Sequence, residues 1–192
     1  MTLVVKKREL QDFHERWYQK AQEYNSDELA DYFDKFFSLF VIYNRIYNVV
    51  VAILNEQGEL DTLRRAGKIV EQPGDGKSAT VCIAYFLRND LNQIINDNNE
   101  AIGTFKFILE EKLFNIDLDY GQPQPQKDKK LLNGLNSTDS LTKVEALLKI
   151  LYKIRCNVFH AEKGYNEDQK LILEPCNNCL DYLVRLLITK IV

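Results

Sequence analysis

Hydrophobic residues recur at spacings of three and four along most of the chain, which is the period of an amphipathic α-helix. The alternation typical of a β-strand is confined to Phe114, Ile116 and Leu118. The sequence therefore predicts an all-α fold with one short extended segment. The predicted helices cover residues 9–24, 26 to about 54, 60–68, 78–95, 98–113, 139 or 140 to beyond 155, and about 168 to the C-terminus.

Proline and glycine indicate where these helices are interrupted. The run 121–130 holds two prolines and several lysines, and it is predicted to be a loop. Pro175 either kinks the last helix or lies in its first turn. The chain is interpreted as a single domain, a helical bundle whose core is formed by residues 9–54 and 140–192. Residues from about 55 to 135 are then a long helical insertion.

Arg155 interrupts the apolar stripe of the helix that begins near residue 140. A guanidinium on a packing face is unfavourable unless an anion, a polar cleft or a partner chain satisfies its charge. His160 follows five positions later, and its imidazole titrates near neutral pH. Residues five apart lie about 140° from each other on a straight helix, so the two side chains converge only if the helix ends or tightens there. The spacing alone also fits a structural arginine and a half-exposed histidine.

The whole chain has a formal net charge of −3, so it has no overall attraction for nucleic acid. Residues 121–170, in contrast, contain nine lysines and arginines against six acidic residues. Such a segment forms either a basic patch that binds phosphates in a salt-dependent manner or an ordinary solvated helix face. The lysines of the candidate patch are Lys127, Lys129, Lys130, Lys149, Lys153 and Lys163.

Residues 36–54 are almost continuously apolar and aromatic. Asn44, Arg45 and Asn48 lie in the middle of this run, and a central arginine alone costs about 2.5–3.5 kcal/mol on membrane-insertion scales. The run is therefore predicted to be a buried core helix and not a membrane span. The first residues of the chain lack the pattern of a secretory signal, so we expect a cytoplasmic protein that does not bind a membrane.

Cysteine spacing offers a different kind of site. Cys176 and Cys179 have the two-residue gap of metal-binding pairs. Cys156 lies four residues before His160, so the four side chains together could form a zinc site. Cys179, however, continues into an apolar stripe with Leu183, and buried free cysteines are common. We therefore expect no bound metal and no cofactor.

The run Lys153-Ile-Arg-Cys-Asn-Val-Phe-His160 resembles the signature of the HEPN superfamily, a group of all-α domains in which a histidine follows an arginine after four to six residues. The aromatic run 33–47, with its interior asparagine and tyrosine, is similar to a helix of prokaryotic HEPN-like proteins. Residues 166 onward are similar to the helix that follows the motif in that group. Ala161 stands where the family pattern often has glycine.

The active members of this superfamily are metal-independent endoribonucleases, and the resemblance implies roles for three residues. Arg155 would bind the phosphate, because a planar guanidinium can donate two hydrogen bonds to it. His160 would transfer protons, and Asn157 would orient the ribose or the imidazole. The resemblance also implies a homodimer with a composite site, RNA or a nucleotide as ligand, and an antitoxin protein as partner in a defence or toxin–antitoxin setting.

Other residues are predicted to line the same site. Polar groups in so apolar a helix need partners, and lysines near the motif can bind phosphates. The alternative hypothesis is a non-catalytic HEPN-like module that binds nucleotide, RNA or a partner protein. The predicted lining residues are Asn44, Arg45, Lys153 and Lys163.

Overall fold

The computed structural model describes residues 3–159 and 166–192. Its regular secondary structure is helical apart from one hairpin of two strands with two residues each. Helix α4 joins the α-helical turns Asp75–Lys77 and Ile83–Phe86 through a π-helical turn at Ser78–Cys82. A short 3₁₀ turn, Glu167–Gln169, precedes the last helix. The other elements are α1 Leu3–Glu23, α2 Leu29–Glu56, α3 Glu59–Arg65, α5 Leu91–Asp97, α6 Asn99–Glu110, β1 Leu118–Asp119, β2 Gln122–Pro123, α7 Pro125–Leu135, α8 Ser140–Phe159 and α9 Lys170–Ile191.

The all-α fold predicted from the sequence is confirmed. The start of α8 is also as predicted, because the Asp139 carboxylate accepts a hydrogen bond from the backbone N–H of Thr142 at 2.8 Å. The start of α2 differs from the prediction by three residues. Ser26 does not cap it, and its hydroxyl instead accepts a hydrogen bond from the backbone N–H of Glu28 at 3.2 Å, just before the helix begins.

Two of the secondary-structure predictions were wrong. The run 121–130 is not a loop throughout, because α7 begins within it at Pro125. Proline needs no hydrogen-bond partner for its nitrogen in a first helical turn, so it starts this helix. The predicted helix over 78–95 is two helices, α4 and α5, and Ser78 lies inside the π turn and caps nothing. Its hydroxyl donates to the carbonyl oxygen of Pro73 at 3.1 Å.

Helix α2 is the centre of the core, packed against α1, α9 and the π turn of α4. Its fully buried aromatic residues Phe36, Tyr43 and Tyr47 fill the space between these helices. The Tyr43 hydroxyl donates to the carbonyl oxygen of Ala79, which lies in the π turn. Pro175 lies inside α9, so it does not belong to the first turn of that helix.

Helix α8 packs mainly against α7, α5 and α4. One close approach is at Gly134 of α7, where an added Cβ atom would lie 2.6 Å from Cβ of Ala146. All three of these helices belong to the stretch 55–135, which the sequence suggests as an insertion. That stretch is therefore an integral part of the packing that holds Arg155 in place.

Among the helices of residues 3–159 and 166–192, α2 is the one that is long and apolar enough to span a membrane. In its most apolar window, 61% of the residues are buried inside the fold. Arg45 at its middle pairs with Glu9 of α1 at 3.2 Å. These contacts agree with the core helix expected from the sequence.

Candidate functional site

Arg155 lies near the end of α8, where its side chain faces the aromatic side of α2. Its Cζ atom is 5.8 Å from the ring centroid of Phe40, a distance at which a guanidinium is attracted to an aromatic face. Phe40 in turn packs edge-on against Tyr43, and Tyr43 against Tyr47, with centroids 5.6 and 5.9 Å apart. Arg155 itself is partly exposed. Arg155, a partly exposed residue, therefore lies at the end of a row of aromatic rings.

Two tyrosines and one aspartate share the electrostatic surroundings of Arg155. Burial and, to a lesser extent, the carboxylate of Asp75 raise the pKa of Tyr47 to about 12, and the charge of Arg155 opposes the rise. Burial also raises the pKa of Tyr152, which feels the charges of Arg155 and Asp75 as well. Both phenols therefore keep their protons at neutral pH and can donate hydrogen bonds. We call Phe40, Tyr47, Asp75, Tyr152 and Arg155 the Arg155 cluster.

The cluster depends on the close approach of α4 to α8. A Cβ atom on Gly76 would lie 3.3 Å from the Tyr152 ring, so the glycine leaves room for that ring beside Asp75. The residues of the π turn that follows are all buried, and the turn packs against both α2 and α8. Single π turns inside α-helices occur frequently at functional sites.

Asn157 lies on a different side of α8 from Arg155. It is 7% exposed, and its Nδ2 atom donates to the carbonyl oxygen of Ile116 at 3.0 Å. Lys153, one turn earlier, pairs with the buried carboxylate of Asp117 at 3.1 Å. Both side chains thus fasten the segment before β1 to α8. The structure gives Asn157 a bond within the fold and does not bring it to the Arg155 cluster.

The remaining predicted residues are more widely spread. Arg45 lines a cavity of about 340 Å³ on the α1 side of α2, where it pairs with Glu9. It lies five residues after Phe40, about 140° around the helix, so it is not part of the Arg155 cluster. Asn44 is exposed on α2. His160 and Lys163 lie outside the described residues.

The candidate basic patch is partly neutralised by buried acids. Lys127 also approaches Asp117, at 3.7 Å, and Lys149 pairs with Glu145 at 3.5 Å. Lys129 and Lys130 are exposed on α7. The positive charge that an anion could meet on this side of the molecule is therefore smaller than the number of lysines suggests.

The cysteines have the environment of core residues. Burial raises the pKa of Cys179 to about 12 and that of Cys176 well above its ordinary value, so both thiols stay protonated. Cys156 is partly exposed. Within residues 3–159 and 166–192, no three cysteine, histidine or acidic side chains lie close enough together to bind a metal ion.

No family model, curated protein or solved structure matches the chain.

Sequence reasoning did not assign four members of the Arg155 cluster to the site: Phe40, Tyr47, Asp75 and Tyr152. Tyr152 precedes Arg155 by three residues on the same helix, a spacing that places both on one face and could have identified it. Tyr47 belongs to the aromatic run that the sequence does single out. Nothing in the sequence near Asp75 indicates that its charge acts on Tyr47 and Tyr152, because these residues come together only through the packing of α4.

Proposed function

We propose that this chain is a metal-independent endoribonuclease of HEPN type, in which Arg155 binds the scissile phosphate and His160 transfers protons. One observation supports it best: the partly exposed Arg155 lies over the ring of Phe40, and the half-buried phenol of Tyr152 is close enough to feel its charge. A phosphate is well recognised by a planar guanidinium and by hydroxyl donors. Donors that are already in place before the substrate arrives stabilise developing charge most effectively.

The proposed chemistry requires no metal ion. The ribose 2′-hydroxyl attacks the adjacent phosphorus and gives its proton to a base, while the bond from phosphorus to the 5′-oxygen breaks. The departing oxygen takes a proton, which leaves a 2′,3′-cyclic phosphate and a 5′-hydroxyl. An imidazole can be the base or the acid near neutral pH. Tyr152, a half-buried phenol whose pKa is raised chiefly by burial, is suited to donating a hydrogen bond to the phosphate and not to removing a proton.

The first experiment separates catalysis by His160 from contamination. Purified protein should cleave single-stranded RNA in the presence of EDTA and leave cyclic phosphate ends. The variant His160→Ala should lose this activity. The matched control is His14→Ala, because His14 is the other histidine of the chain and stacks on Tyr18 of α1 at 5.2 Å. Equal loss in both variants would contradict the proposed role of His160.

A composite site in a homodimer is part of the proposal. If residues of both protomers line one cleft, Arg155→Ala and His160→Ala should each be inactive, whereas a mixture of the two should regain part of the activity after subunit exchange. A mixture that stays inactive although heterodimers form would contradict the shared site. The proposed antitoxin partner follows from the same family resemblance, and a cytoplasmic location is proposed with it.

The pairing of the lysines favours a second candidate, a non-catalytic module that binds RNA, a nucleotide or a partner protein. Lys149 and Lys153 are held by buried carboxylates, which lowers the positive potential available to hold a long RNA in place. This candidate predicts that the wild-type protein and His160→Ala bind RNA equally well and that neither cleaves it. Cleavage that depends on His160 would exclude it.

A further inference from the structure

A second polar cleft lies along α9, where α1, α2 and α6 approach that helix. It consists of a cavity of about 470 Å³ and an adjoining one of about 190 Å³, which share Lys35, Glu174 and Asn178. Lys35 lies five residues before Phe40 on α2, so it is about 140° away from the face that holds Arg155. The cleft is therefore separate from the Arg155 cluster. Its total size is within the range of about 300–1,000 Å³ that is typical of small-molecule sites.

The walls of this cleft are predominantly acidic. Five carboxylates face two basic side chains, and one of those two, Arg185, is paired with Asp181 at 2.8 Å. The carboxylates of Glu100 and Glu174 are exposed on opposite walls, one from α6 and one from α9. The cleft therefore has an excess of negative charge, although it belongs to a chain with a net charge of only −3. The five acidic residues are Asp31, Asp97, Glu100, Glu174 and Asp181.

An unsatisfied acceptor lines the smaller cavity. Asn177 is 3% exposed, and its Nδ2 atom donates to the carbonyl oxygen of Tyr32 at 3.0 Å, which fixes the orientation of the amide. Its Oδ1 atom is buried and accepts no hydrogen bond in the described part of the chain. A buried acceptor without a donor is unfavourable. A ligand that brings an N–H group to this point would remove the penalty.

The acidic side chains of the cleft are spaced to suit a ligand with several separated positive charges and not a metal ion. No three of them converge closely enough to coordinate a cation within residues 3–159 and 166–192. On α9, Glu174, Asn178 and Asp181 follow each other at spacings of four and three, so they form one stripe along the cleft. Asp181 is already paired with Arg185, so an extended ligand with ammonium groups would meet the exposed carboxylates of Glu174 and Glu100. Its N–H groups suit the unsatisfied oxygen of Asn177.

We propose that this cleft binds alkylammonium groups, and that its ligand is a linear polyamine or the lysine side chains of a protein. The proposal does not depend on the nuclease proposed for the Arg155 cluster. Spermidine is the first probe, measured by isothermal titration with the RNA-free full-length protein at low ionic strength, where exposed charges are least screened. A capped trilysine peptide and Mg²⁺ are measured in the same way.

Spermidine should bind with one site per chain. Since an exposed ion pair contributes only modestly to binding, Glu174→Gln should weaken binding about threefold, and Glu100→Gln with Glu174→Gln about tenfold. The matched control is Glu56→Gln, an exposed acid at the end of α2 outside the cleft. Both glutamates are on the surface, so circular dichroism should show the double variant folded as the wild type.

Three results would overturn the proposal: failure of both spermidine and the peptide to bind, equal affinity in the double variant, or equally tight binding of Mg²⁺. The last would indicate an unselective response to cations. Binding of the peptide without binding of spermidine would support the ammonium site and identify a protein as its source. Binding of spermidine that the peptide does not displace would identify a free polyamine.

Discussion

On one side of the last turns of α8, Asn157 donates to the carbonyl oxygen of Ile116 and Lys153 pairs with Asp117. On the other side, Arg155 lies over Phe40 and near the phenol of Tyr152, and it is partly exposed. The first side uses its polar groups to hold a neighbouring segment. On the second side, a charged group lies over an aromatic ring and is partly exposed. Arg155 and Asn157 are two positions apart on α8, yet Asn157 holds a neighbouring segment of the fold whereas Arg155 lies over an aromatic ring and is partly exposed.

The largest expected effect tests the Arg155 side. Arg155→Ala should lower RNA cleavage about a hundredfold or more, as is usual when one donor to a developing negative charge is removed. Its free energy of unfolding should change by about 1 kcal/mol or less, because a partly exposed contact with a ring contributes little more. Single-turnover cleavage and urea denaturation measure the two quantities.

The matched control for that prediction is Lys153→Met, which removes a positive charge from the other side of the same helix. It should reduce cleavage only a few-fold, since its ammonium is already paired with Asp117. If both variants lose activity equally, the loss reflects a general electrostatic attraction of RNA. The proposal that Arg155 binds the scissile phosphate is then wrong.

The next effect tests the Asn157 side. Asn157→Leu leaves the buried carbonyl of Ile116 without its donor, so the free energy of unfolding should fall by about 1–3 kcal/mol. Cleavage per folded molecule should be retained, because Asn157 does not reach the Arg155 cluster. Urea denaturation and activity at low temperature measure both. Asn44→Leu, at an exposed position of α2, should change stability by about 0.5 kcal/mol or less. A loss of activity without a loss of stability would restore the catalytic role predicted for Asn157 from the sequence.

A smaller effect tests how α8 is held in position. Gly134→Ala would place a methyl group 2.6 Å from Cβ of Ala146, so α7 and α8 must move apart, and stability should fall by about 1 kcal/mol after the gain in helix propensity. Gly103→Ala in α6 meets nothing within 4 Å and should instead stabilise the fold by about 0.5–1 kcal/mol. Thermal unfolding of both variants measures the contrast. Equal stabilisation by both would show that the two helices are not in tight contact.

The last prediction concerns the pH dependence of stability, and the difference between wild type and variant appears only in alkali. Folding raises the pKa of Tyr47 from 10 to about 12, chiefly through burial. The unfolded chain therefore loses this proton first as the pH rises, so the stabilisation is complete below pH 10 and is lost by about pH 12. Tyr47→Phe keeps the ring but cannot titrate. Stability measured from pH 8 to 11.5 should decline less steeply in the variant, and parallel declines would contradict the raised pKa.

The periodic pattern of the sequence was sufficient to predict the helical fold and most of its helices. It also identified Asp139 at the start of α8 and Arg155 as a charge on an apolar stripe. These features are local, because helix periods, caps and interrupted stripes are set by residues within a few positions of each other. The roles predicted for His160 and Lys163 stay predictions, since both residues lie outside the described part of the chain.

Only the tertiary structure decided which groups surround Arg155. Asp75 reaches the cluster through α4, and the partner of Asn157 is a carbonyl 41 positions away in the sequence. The sequence by itself determined where the charged and polar groups stand along each helix. Which of them become part of the fold and which stay available to a ligand depends on neighbours that are distant in sequence. No local pattern specifies those neighbours, because they are chosen by the packing of the whole core.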